Sequence, residues 1–75
     1  MRIIKIEWLA HAGINRKMAW YTVWIQAENK EEATALRKIF TWHGAWLFRP
    51  NFMALDELDA MKRVMDFLAN AGHVL

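Results

Sequence analysis

The chain has no cysteine and no serine among its 75 residues. The first absence excludes disulfide cross-links and thiolate metal sites, and it fits a reducing compartment. Together the two absences exclude nucleophilic catalysis of the Ser–His or Cys–His type. The three glycines, Gly13, Gly44 and Gly72, stand far apart, so no phosphate-cradling loop can be drawn. The uncharged run 18–27 is shorter than the roughly 20 apolar residues of a membrane span. Charges at Arg2, Lys5 and Glu7 interrupt the first apolar run, unlike the core of a signal peptide. We expect a cytoplasmic chain with no membrane partner.

What is present is apolar: 56% hydrophobic residues against 24% charged, a balance that argues against disorder. A chain of this length makes one domain, residues 1–75, and buries only about 60% of its unfolded surface. Such small cores are often supported by disulfides, a metal or a second subunit. With the first two unsupported by the composition, association is the remaining common route. The net charge is +2, divided as +4 over residues 1–49 and −2 over residues 50–75. That basic excess is too dilute for the stripe of a dedicated nucleic-acid binder.

Periodicity places the elements. Residues 2–10 alternate as a strand, with Ile4, Ile6 and Trp8 on one face. Residues 11–16 carry Gly13 and Asn15 and suit a hairpin loop. Residues 18–27 form a second strand rich in aromatic and β-branched side chains. Asn29, followed three residues on by Glu32, is a helix N-cap with a capping-box acid that can reach back to the cap amide. The spacing predicts a helix over 30–43 with Ala33, Leu36, Ile39 and Phe40 inside and Gly44 ending it. Residues 45–49 suit a short third strand. A second helix follows from Ala54 or Asp56 to Ala71, with Leu58, Met61, Met65 and Leu68 as its buried stripe, widened by Val64 and Phe67, and with Gly72 ending it. The methionines are expected to fill core gaps. The expected fold is an α+β two-layer sandwich in ββαβα order, with a three-stranded, mainly antiparallel sheet and two helices on one face. Two strand orders are compatible: antiparallel 2-1-3, or the third strand parallel beside the second.

Five tryptophans are more than so small a core needs. Trp20 and Trp24 lie on the same side of the second strand, and Ala19, Tyr21, Val23, Ile25 and Ala27 make its other side apolar as well. One side is therefore left over whichever way the strand turns. The candidate contact residues are Trp20, Trp24, Met18 and Thr22, with Lys5 alongside and Arg16 and Lys17, which form a basic rim with Arg49 if the sheet brings them together. Trp42, Trp46 and Phe48 are expected to form a corner cluster around Gly44. His11, His43 and His73 fall in a loop, at a helix end and in a tail, which does not suit a metal. Asp56 and Asp59 are better explained by the helix dipole than by catalysis or cation binding.

These features point to a non-enzymatic protein-interaction module without cofactor, metal or small-molecule substrate. A homodimer, a protein partner or both would cover the surplus. An inhibitor or adaptor of the kind carried by phages or mobile elements, occluding a surface of a larger host enzyme or complex, fits the size and the lack of chemistry. The alternative is a single-stranded nucleic-acid binder with Trp20 and Trp24 as stacking platforms.

Overall fold

The computed structural model describes residues 1–13 and 15–73, with backbone alone at residues 15 and 16. Its elements are β1 (Arg2–Ala12), β2 (Asn15–Gln26), α1 (Lys30–Leu36), β3 (Trp42–Gly44), β4 (Leu47–Phe48), β5 (Asn51–Ala54) and α2 (Glu57–Asn70). The α+β class holds, but the sheet has five strands in ββαβββα order where three were expected. Every pairing is antiparallel: β1 with β2, β2 with both β4 and β5, and β4 with β3. No helix among the described residues is long and apolar enough to cross a membrane.

β2 is the organising strand. Ala19, Tyr21, Val23, Ile25 and Ala27 are all buried. Val23, Ile25 and Ala27 join Ala33 and Leu36 of α1, Val64 and Leu68 of α2, Phe40 and Phe48 in one core cluster. A smaller cluster joins Ala19, Tyr21, Ala54 and Ala60, and Ile6 packs against both. Phe40, Phe52 and Phe67 meet ring to ring beside this core, with centroids 5.4 to 6.4 Å apart. Such contacts fix ring orientation as well as burying area.

Neither expected strand order is found, because one chain reversal escaped the pattern. The first helix ends at Leu36, and residues 37–40 continue as turns whose amides still bond back to Ala33, Ala35 and Leu36. The expected helix to residue 43 and the single strand at 45–49 are replaced by a β3–β4 hairpin. Ala45 and Trp46 take positive φ, 48° and 62°, at its tip, the geometry of a tight primed hairpin turn. Gly44, at φ 135°, is a strand residue and not a helix terminator. The hairpin inserts β4 between β2 and β3. β3 thus runs parallel to β2 one strand away, while the chain beside β2 is antiparallel. Trp42 and Trp46 remain substantially exposed and only Phe48 of the expected corner cluster is buried.

Both helices start as their acidic caps require. Asn29 accepts from the Glu32 amide at 2.9 Å, and Asp56 from the Asp59 amide at 2.8 Å. The third-position acids reach one residue further back than the cap: Glu32 accepts from the Glu28 amide at 2.8 Å and Asp59 from the Leu55 amide at 2.9 Å. Glu32 also pairs with the Met1 ammonium, and Asp59 with Arg63 at 2.9 Å. Burial pushes the Glu32 carboxyl up, but the Met1 ammonium and the Glu28 amide outweigh it and the net shift is downward. The Leu55 amide, then Arg63, holds Asp59 below its usual value. At its far end α2 closes on Gly72, φ 86°, with the Gly72 amide bonded to the Ala69 carbonyl and the His73 amide to Leu68, a Schellman pair.

The buried stripe of α2 differs from the expected one. Ala60, Val64 and Leu68 face the core, whereas Leu58 is 78% exposed and Met61, Met65 and Phe67 are also exposed. α2 carries two overlapping apolar stripes, and the one with the small Ala60 approaches the sheet. Hence Leu68→Ala should destabilise by about 2–5 kcal/mol and Leu58→Ala by no more than about 0.5 kcal/mol, read from urea unfolding. Because the Glu32 and Asp59 pKa values are lowered by folding, their contribution is present above the ordinary carboxylate range and is lost as pH falls through the depressed values. Unfolding midpoints should therefore drop on acidification below about pH 4, and Asp59→Asn should flatten that decline.

Candidate functional site

The face of the sheet opposite the main core is built by register. Reading across from β1, Lys5 lies opposite Trp24, Glu7 opposite Thr22, and Ala10 opposite Trp20. On the other side of β2, Thr22 lies opposite Asn51 and Trp20 opposite Met53. Strand alternation puts all of these on the side away from Tyr21, Val23 and Ile25. The tyrosine side is the covered one and the Trp20/Trp24 side faces outward.

The two tryptophans differ in state. Trp24 is half-buried. The Lys5 ammonium and the Arg49 guanidinium lie 5.6 and 5.0 Å from its ring centroid, and the His43 ring meets it edge-on at 5.8 Å. Each cation so placed is attracted by the ring quadrupole. Its Nε1 is buried and finds no acceptor among the described residues. Trp20 is 40% exposed and sits beside Met53, also exposed.

Of the other expected contact residues, Thr22 is buried and donates its hydroxyl to Asn51 Oδ1 at 2.9 Å, so it braces β2 against β5. Met18 is half-buried and Lys17 exposed. The Arg16 side chain lies outside the described residues. Lys5 pairs with Glu7 at 2.9 Å on the same face. Arg49, expected in a rim with Arg16 and Lys17, lies over Trp24, and Met53, which the pattern did not place here, completes the site. Arg49 lies just past the end of β4, at the last position of the strand expected over 45–49, and Met53 lies on β5, in a stretch whose proline and asparagine read as a turn.

Other uncovered surfaces lie elsewhere. A groove of about 510 Å³ runs along α2 over Leu58, Met61 and Met65, with Asp56, Lys62 and Asp66 also lining it. A smaller one of about 200 Å³ lies between α1 and the β3–β4 hairpin, where Arg37 covers Trp42 at 4.9 Å. The three histidines stand apart: His11 against Trp8, His43 against Trp24 and His73 near Glu32. Among the described residues no group of three or more His, Asp or Glu side chains gathers as a metal would need.

No family model, curated protein or solved structure matches this chain. Trp24 is pinned by neighbours and Trp20 is not. Trp24→Ala should cost about 2 kcal/mol or more, and Trp20→Ala less than about 1 kcal/mol, in thermal or urea unfolding.

Proposed function

We propose that the chain is a non-enzymatic protein-binding module whose contact surface is the outer face of the sheet, centred on Trp20 and Met53. It acts by occlusion, as an inhibitor or adaptor does, covering a surface of a larger protein. The observation that carries this reading is the exposed Trp20–Met53 pair set beside a tryptophan already engaged by Lys5 and Arg49. Protein interfaces favour Trp, Met and Arg, with an apolar centre and a polar rim, and a few such anchors supply most of the binding energy.

The same observation disfavours stacking of nucleobases. A base needs a free aromatic face. At Trp24 two cations lie over the ring, which leaves Trp20 as a single platform. Glu7, paired with Lys5, adds a negative charge where a phosphate backbone would pass. Partner capture by the tagged chain, identified by mass spectrometry, should survive about 0.5 M salt and be lost in Trp20→Ala/Met53→Asp. Fluorescence anisotropy with single-stranded dT and rU oligonucleotides should show no binding at low salt. Salt-sensitive oligonucleotide binding that disappears in the same double variant would replace this reading with the nucleic-acid one.

A further inference from the structure

β1 forms one whole edge of the sheet: it pairs with β2 on one side and with nothing among the described residues on the other. An open edge presents a row of unpaired backbone donors and acceptors that template another strand. Its register against β2 shifts between Ile3 and Lys5 and again between Trp8 and Ala10, leaving residues 5–8 as a regular stretch between two bulges. Bulges of this kind bend a strand and limit how far a new partner can pair. Trp8 within the stretch and Ile4 and Leu9 beside it are apolar and about half exposed.

The charges within the stretch select its partner. Lys5 and Glu7 lie two residues apart on the outer face, either side of Ile6. Antiparallel pairing of two such strands requires that residues opposite one another share a face. A two-fold axis through Ile6 meets this condition. It sets Lys5 against Glu7 of the second copy and Glu7 against Lys5 of the second copy, two opposite-charge cross-strand pairs from one motif. It also sets Ile6 against Ile6 on the core-facing side and brings each Trp8 towards the other Ile4. A lone lysine on an edge strand discourages pairing, whereas lysine and glutamate at this spacing are complementary to their own reversed image.

We infer that the chain forms a homodimer through β1, with the two strands antiparallel and the two-fold axis at Ile6. The contact is isologous, so it closes at two copies. The axis stands normal to the sheet and joins the outer faces of both copies on one side of a continuous sheet. The dimer does not require the outer face to bind a partner, since Trp20 and Met53 lie on β2 and β5.

The test is sedimentation velocity of the full chain over about 1 to 500 µM, with charge reversals and their mixture. The wild type should dimerise. Lys5→Glu and Glu7→Lys should each weaken the dimer about tenfold or more, because each sets like charges opposite one another twice. Mixing these two single variants should restore association as a heterodimer, since the glutamates of one then face the lysines of the other. Circular dichroism reports whether each variant is folded. Should either reversal unfold, Ile6→Cys in the otherwise cysteine-free chain decides: air oxidation should give a disulfide-linked dimer. A monomeric wild type, a dimer indifferent to both reversals, a mixture that stays monomeric, or Ile6→Cys that fails to cross-link would each overturn the inference. Partner capture through Trp20 and Met53 is read separately with Glu7→Lys, which keeps both residues and the Lys5 that lies over Trp24.

Discussion

β2 is flanked by strands on both edges but packed against the helices on one face only, and this asymmetry governs the molecule. Its inner residues, Ala19 to Ile25 in alternation, with Ala27 just beyond its end, gather two helices and the phenylalanines of the β3–β4–β5 segment into the core. α1 contributes only Ala33 and Leu36 to that burial, and α2 only Ala60, Val64 and Leu68. So little helical material covers one side of a five-stranded sheet and cannot wrap the other. The outer tryptophans are then left to cross-strand neighbours. Trp24 recruits two cations and an imidazole, and Trp20 has Met53 and water.

Much of this was legible in the residues because it rests on local rules. The N-cap at Asn29, the acidic start and glycine stop of α2, and the two apolar faces of β2 all follow from short-range chemistry or period-2 alternation. The outward turn of Trp20 was not legible, since both faces of β2 are apolar and only the helices decide between them. Nor was the buried stripe of α2. The series Leu58, Met61, Met65, Leu68 and the series Ala60, Val64, Leu68 share a residue and a period. Choosing between them depends on closeness of approach: Ala60 lets α2 sit against Tyr21 and Ala54, where a leucine or methionine would hold it away. Side-chain size at the contact, and not hydrophobicity, decides the rotation.

The hidden hairpin has a sharper cause. Primed turns usually advertise themselves with glycine or asparagine, and here Ala45 and Trp46 occupy the left-handed region instead. Non-glycine residues held there cost about 1–3 kcal/mol each unless their surroundings over-determine them. The surroundings do so: Gln26 Nε2 donates to the Ala45 carbonyl at 3.1 Å and the Ala27 amide to the Trp46 carbonyl at 2.9 Å. The end of β2 therefore dictates the turn from 19 residues away. That reversal carries Arg49 over Trp24 and sets Met53 opposite Trp20, so the composition of the candidate site depends on a turn that local sequence does not encode.

The same shortage of cover leaves both the sheet edge at β1 and the outer face open. A chain that cannot shield its second face has two physical routes: blunt the surface with charge, or share it with another molecule. Lys5 serves the first route where it lies over Trp24, and Lys5 with Glu7 serves the second where they sit on the edge. Pairing through β1 would use backbone groups and leave the Trp20–Met53 surface free. Partner binding at that surface would use side chains of β2 and β5 and leave the edge intact. The two proposed contacts would therefore not compete. Joining two copies at Ile6 would present the exposed tryptophans on one side of a doubled sheet, so a partner with two matching sites gains from the raised effective concentration without any new contact.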